Sequence, residues 1–233
     1  MNHTLSVKVP DGAFSAFVAR PPSNEGPVVV VLQEAFGVND GIRQIAMDMA
    51  RQGFVAVAPD LYWRFVPGIE LSDHVESEWK RGFEIYAKLD IAKAVDDVRA
   101  TVNAARPLSS TGKVGVMGFC LGGLLTTLLA ARYGVDAGVS YYGGTTEKYA
   151  NELREVRGPL LMHLAGDDEY MAPEAQALIR DASRAVKSIE IQVYPHRNHA
   201  FARPSGDHYD RADATVANRR TVEFMREHLK SPS

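Results

Sequence analysis

The chain carries a single cysteine, Cys120, at the centre of Gly118-Phe-Cys-Leu-Gly122. An apolar run, Val114 to Met117, leads into it and a helical run, Leu124 to Arg132, follows. A nucleophile on the sharp turn between a strand and a helix needs residues without side chains two positions before and after it, so that strand and helix can approach closely. Gly118 and Gly122 meet that demand. The turn also puts Cys120 at a helix N-terminus, where unpaired N–H groups and the helix dipole favour thiolate over thiol. It leaves the Leu121 N–H available as half of an oxyanion hole. Taken alone, a free cysteine is more often a small buried hydrophobe, so the other partners of such chemistry must be found.

A cysteine nucleophile calls for a base and a group that orients the base, arriving in the order nucleophile, acid, histidine at successive strand ends. Gly166-Asp167-Asp168-Glu169 follows the apolar run Leu160 to Leu164, and His196-Arg-Asn-His199-Ala-Phe-Ala-Arg203 follows Ile189 to Tyr194. A loop aspartate or a loop histidine is commonplace singly. Their conjunction with the elbow in this order points to a Cys-His-Asp triad. Spacing alone leaves open which Asp and which His belong to it. His196, His199 and His208 share no helical or strand spacing that would group them as metal ligands, and no metal or cofactor is expected.

Positioning these groups requires a scaffold with strands and helices in alternation. Thr4 to Val9 and Ser15 to Ala19 alternate polar and apolar residues around Pro10-Asp11-Gly12, which predicts an antiparallel hairpin. Val28 to Leu32, Phe54 to Ala58, Val114 to Met117 and Ala137 to Tyr141 are short, largely apolar runs, as in strands covered on both faces; Leu160 to Leu164 and Ile189 to Tyr194 complete the set. Between them fall helical periods at Ile42 to Met49, Ile91 to Val102, Ala175 to Ala182 and Val222 to Leu229. The pattern predicts one α/β domain over residues 1–233, a mostly parallel, doubly wound sheet whose sites lie beyond the carboxyl ends of its strands. Tyr62 to Lys88 breaks the rhythm with Pro67-Gly68 and the aromatics Trp79, Phe83 and Tyr86. It either covers the site or is an exposed loop followed by a helix whose aromatics pack on the core.

A net charge of -3 leaves no cationic excess for a phosphate backbone, so nucleic acid is not an expected partner. No apolar run reaches the roughly 18 residues that would cross a bilayer, and Met1 to Pro10 has no signal-peptide core. With one cysteine the chain forms no internal disulfide, which fits a reducing compartment. A cytoplasmic monomer acting on a small molecule is the expectation.

Gln33-Glu-Ala-Phe-Gly-Val-Asn39, Pro59-Asp-Leu-Tyr62, Gly118-Phe-Cys-Leu-Gly-Gly123, Tyr141-Tyr-Gly143, Gly166-Asp-Asp168 and His199-Ala-Phe-Ala-Arg203 occur in collinear order. Together they resemble the dienelactone hydrolase (carboxymethylenebutenolidase) family over about Val28 to Leu229. The Glu-x-x-Gly loop and the Gly-Phe-Cys elbow are its most specific parts. The resemblance implies the α/β-hydrolase fold and a triad of Cys120, His199 and Asp168. It implies that Glu34 contacts the resting Cys120 thiol and acts as its base, and that Ala35 supplies the second oxyanion-hole N–H. Arg203 would hold a substrate carboxylate, with Phe36 and Tyr141 also at the substrate. The family's second arginine falls within Val75 to Arg81, where Trp79 takes its place and Lys80 and Arg81 are adjacent, leaving Arg81 as the candidate cation. The implied activity is opening of an unsaturated, carboxylated lactone, dienelactone to maleylacetate, in catabolism of chlorinated catechols or other aromatics. A general esterase or thioesterase on the same triad is the alternative. A non-catalytic ligand-binding α/β module is opposed by the lack of any Gly-x-Gly-x-x-Gly or Gly-x-x-x-x-Gly-Lys-Ser/Thr segment.

Overall fold

The structure, a computed structural model, describes residues 3–204 and 206–231. Eight strands form one sheet: β1 (His3–Val9), β2 (Gly12–Ala19), β3 (Val28–Leu32), β4 (Val55–Pro59), β5 (Val114–Phe119), β6 (Ala137–Tyr141), β7 (Leu160–Ala165) and β8 (Ile189–Tyr194). Among the described residues six α-helices accompany them: α1 (Asp40–Arg51), α2 (Glu76–Lys88), α3 (Ile91–Ala105), α4 (Leu121–Arg132), α5 (Pro173–Ser183) and α6 (Arg211–Leu229). The strand order is β1-β2-β4-β3-β5-β6-β7-β8. The β1–β2 hairpin and its junction with β4 are antiparallel, and every pairing from β4 to β8 is parallel. This is the α/β-hydrolase fold.

The apolar strands bury both faces, and alternation within them sorts side chains into two layers. Val29, Val31, Met117, Val139 and Tyr141 pack toward α1 and α6, whereas Val28, Val30, Leu32, Val114 and Val116 pack toward α3 and α4. Helix α4 is apolar all round and buried from Leu121 to Ala131, as expected of a helix wedged between the sheet and its neighbours. Helix α6 starts eleven residues before the expected Val222, capped by Asp210, whose side chain accepts from the Asp213 N–H. The early part contributes only Ala214 and Ala217 to the core, small residues whose period is easily overlooked.

Strand order decides the location of the site. The chain passes from β3 outward to β4, then returns to the other side of β3 as β5. The direction of winding therefore reverses at β3 and β5, the position where open α/β sheets leave a crevice beyond their carboxyl ends. The loop after β3 holds Glu34 and Ala35, and the loop after β5 holds Cys120.

Candidate active site

Cys120 has φ 52° and ψ -112°, a conformation L-residues seldom adopt. The surroundings fix it. The Cys120 N–H donates to the Tyr141 carbonyl at 3.0 Å, and the Gly122 N–H donates to the Gln33 carbonyl at 3.0 Å. A Cβ on Gly118 would lie 2.2 Å from the Gly122 oxygen, and one on Gly122 would lie 2.7 Å from Leu32 O. The two glycines thus permit the close strand-to-helix approach, and Gly122 draws the β3 loop against the elbow. The Leu121 and Ala35 N–H groups donate to no protein acceptor among the described residues, which leaves both available to a bound oxygen.

The structure brings together Asp168 and His199, from the loops after β7 and β8. His199 Nδ1 lies 3.0 Å from each Asp168 oxygen, both side chains being buried. Asp168 Oδ1 also accepts the Tyr170 N–H at 2.9 Å, which fixes the carboxylate. Asp167 and His196 pair with each other at 3.5 Å on the surface, with side chains 67% and 87% exposed. Burial would push the His199 imidazolium down, but the neighbouring Cys120 thiolate and the Asp168 hydrogen bond outweigh it and raise its pKa. Its Nε2 is buried without a hydrogen-bond partner.

Two supports of His199 had no marker in the sequence. Asn198 Oδ1 accepts from the N–H groups of Glu169 and His199 at 2.9 and 2.6 Å, clasping the two loops together. His208 Nδ1 donates to the His199 carbonyl at 3.1 Å.

Glu34 makes no hydrogen bond to Cys120. Its Oε2 lies 3.2 Å from Arg203 Nε, an ion pair whose N–H is not aligned on the oxygen, and its Oε1 is buried without a partner. Burial raises the Glu34 pKa against the pull of Arg203. Arg203 stays charged because Glu34 and Asp73 offset its burial; its Nη1 donates to Asp73 Oδ2. Its guanidinium carbon lies 5.6 Å from the centre of the buried Phe36 ring.

Tyr141 does not reach the substrate side. It is fully buried, stacks on Phe119 at 4.6 Å, and its hydroxyl donates to Asn218 and accepts from Thr221, both on α6. Tyr142, next in the chain and at φ 38°, sets its ring 4.9 Å from His199. Its hydroxyl is buried and unpartnered, and burial and the Glu34 carboxylate raise its pKa, so it remains a donor. Tyr141 ends β6 while Tyr142 stands on the left-handed turn that follows it, and the motif does not say which ring that turn brings to His199.

Arg81 is likewise turned away: it pairs with Glu84 at 3.4 Å and its side chain is 49% exposed. Helix α2 carries Trp79, Phe83 and Tyr86 on one side instead, at intervals of four and three, with Phe83 and Tyr86 half-buried and Trp79 at the exposed rim. Trp79 meets Phe83 at 4.4 Å, Phe83 meets Phe36 at 6.1 Å and Tyr170 at 6.2 Å, and Tyr170 meets His199 at 4.8 Å. A Cβ on Gly82 would lie 2.6 Å from the Ala35 oxygen, so this helix closes directly over the β3 loop. Both readings of Tyr62 to Lys88 hold in part: α2 lies against the β3 loop at Gly82, and its Tyr86 packs on the core.

A family profile described as the dienelactone hydrolase family matches residues 14–229. Carboxymethylenebutenolidase 1 of Cupriavidus pinatubonensis is 36% identical, the match covering 95% of this chain and 94% of that protein. Carboxymethylenebutenolidase of Pseudomonas putida is also 36% identical over 95% and 94% of the two chains. A crystal structure from Klebsiella pneumoniae, 27% identical, superimposes with a TM-score of 0.86 over 97% of this chain and 98% of the other.

Proposed function

The chain belongs to the dienelactone hydrolase family, and from that premise we propose that it opens an unsaturated, carboxylated lactone of the dienelactone type through an acyl-enzyme on Cys120. The observation that carries the reading is the cysteine on a strained elbow beside His199, whose imidazole is held by Asp168. The thiolate adds to the lactone carbonyl, and the Leu121 and Ala35 N–H groups hold the oxyanion. Collapse breaks the ring C–O bond; the oxygen departs as an enolate, acidic enough to leave with little proton donation. Water, activated by the enolate or by His199, then cleaves the thioester, freeing the cysteine and a second carboxylate, and the enol tautomerises to the ketone of maleylacetate. Arg203 is the cation for the substrate carboxylate and Glu34 the base toward the thiol.

No helix among the described residues is long and apolar enough to cross a membrane; the proposal places the enzyme in the cytoplasm, in catabolism of chlorinated catechols or related aromatics. A second reading, hydrolysis of uncharged lactones or esters on the same cysteine, is favoured by one observation: Arg81, the candidate second cation, is half-exposed and paired with Glu84. Turnover of cis- and trans-dienelactone beside a simple aryl ester separates the two. Lactone opening that Cys120→Ala abolishes supports the first; ester cleavage without lactone opening supports the second.

A further inference from the structure

Arg203 is already engaged before any substrate arrives. A guanidinium offers two edges for bidentate carboxylates, Nε with Nη2 and Nη1 with Nη2. Glu34 lies against Nε at 3.2 Å, and Asp73 accepts from Nη1. Each edge thus carries a resident carboxylate, and Nη2 has no protein partner among the described residues. Asp73 comes from the loop before α2, with its side chain 20% exposed at the mouth of a cleft of about 490 Å³. That cleft is lined by Glu34, Asp40, Glu70, Asp73 and Glu78 together with His74 and Arg203. Arg43 pairs with Asp40 and Glu70, so an incoming carboxylate meets chiefly Glu34 and Asp73 on an arginine already engaged, and among the described residues lining the cleft there is no second arginine.

We propose that Asp73 is a specificity-determining residue, holding the end of Arg203 as an internal stand-in for a substrate carboxylate. Carboxylated lactones must displace it; uncharged lactones need not. The proposal rests on the reading that this site opens lactones on Cys120, and it sets the balance between charged and uncharged members of that class. Neutralising Asp73 frees one edge of Arg203 and removes a repelling charge beside it, so it selectively favours anionic substrates.

The test compares kcat/KM for dienelactone and for the same methylene-butenolide ring lacking the carboxylate. Wild type, Asp73→Asn and Asp73→Ala are assayed, with Asp40→Asn as a control that removes a charge from the cleft without touching Arg203. Both Asp73 variants should raise the preference for the charged lactone by about tenfold or more, chiefly through KM, and Asp40→Asn by less than about twofold. Lower turnover of the charged lactone in Asp73→Asn, or an equal effect of Asp40→Asn, would overturn the proposal, the first by making Asp73 a support for Arg203. Calorimetric binding of crotonate, which carries a carboxylate on a double bond, needs no turnover: Asp73→Asn should bind it more tightly than wild type and crotonamide equally. Absent lactone turnover with tighter crotonate binding sinks the functional reading and keeps Asp73. Normal lactone turnover with unchanged selectivity and crotonate affinity does the reverse.

Discussion

His163 makes acid stability a sharp test of the packing beneath the site. It is fully buried on β7, with Nδ1 3.0 Å from the Tyr194 hydroxyl and Nε2 3.1 Å from Thr221 Oγ1. Arg220 donates to the Tyr194 hydroxyl at 3.2 Å, so that hydroxyl donates onward to Nδ1. Nε2–H then donates to Thr221, Thr221 to Tyr141 at 2.6 Å, and Tyr141 to Asn218 at 2.9 Å. Every proton in the chain is assigned with the imidazole neutral. Burial, followed by repulsion from Arg220, lowers its pKa from 6.5 to about 3. Because the folded pKa is depressed, the unfolded chain binds the extra proton between those values: His163's contribution is fully present above pH 6.5 and is lost as pH falls toward 3. Linkage gives a loss of about 3 kcal/mol at pH 4.5 and roughly 5 kcal/mol at the limit, a large share of a typical domain's stability. Urea unfolding of wild type and His163→Gln at pH 7.5, 6, 5 and 4.5 isolates the effect, since carboxylates titrate alike in both. The gap in unfolding free energy should change by about 3 kcal/mol across that range, in favour of the variant at low pH. Parallel stability curves would refute the reasoning.

Asp168→Asn should lower kcat by about 10⁴ through loss of the imidazole's orientation and charge partner while circular dichroism stays unchanged; a loss under tenfold would remove Asp168 from the triad. Cys120→Ala should lose several orders of magnitude in lactone opening, and it should accumulate no thioester in mass spectra of quenched reactions. Gly118→Ala should fail to accumulate in soluble form or lose more than about 5 °C in Tm, because its methyl would overlap the Gly122 peptide. Tyr142→Phe should leave Tm unchanged or raised, since the deleted hydroxyl has no partner; a lowered kcat/KM at unchanged Tm would place that hydroxyl on the substrate.

The parts of the site legible in sequence are those whose physical demands are local. Gly118 and Gly122 mark the elbow because no other residue allows that approach, and the strands announce themselves because both faces must be apolar. Strand order is not local: Val28 to Leu32 and Val55 to Pro59 read alike, and nothing in either says that β3 borders β5. The same limit explains Tyr141 and Arg81, assigned by motif position while alternation and helical phase turn both side chains away. It explains Asp73 most directly, since it lies 130 residues from the arginine it engages.

The arrangement also separates two electrostatic problems that the chemistry would otherwise confuse. On one side, His199 is tied to Asp168 and shielded by Tyr142 and Tyr170, so the charge that develops on the imidazole has a fixed partner. On the other, Glu34 and Asp73 share a single guanidinium, and Glu34 keeps one buried oxygen without a partner. A buried acceptor left unsatisfied costs about 1–3 kcal/mol, so Glu34 is the less settled of the two carboxylates, and on the proposed reading a substrate anion arriving on Arg203 acts on it. If the anion takes the Nε edge, Glu34 is released toward the elbow and base function is linked to substrate binding. If it takes the Nη1 edge, Asp73 is released into the cleft and Glu34 stays paired. The pH dependence of kcat in Asp73→Asn distinguishes the routes. With Asp73 neutralised, anions have less need of the Glu34 edge, and the acid limb of the profile, set by a carboxyl that burial holds above its usual range, should shift toward lower pH as Glu34 keeps its cation. An acid limb identical in wild type and variant would mean that substrate releases Glu34 in both, and that Asp73 governs affinity alone.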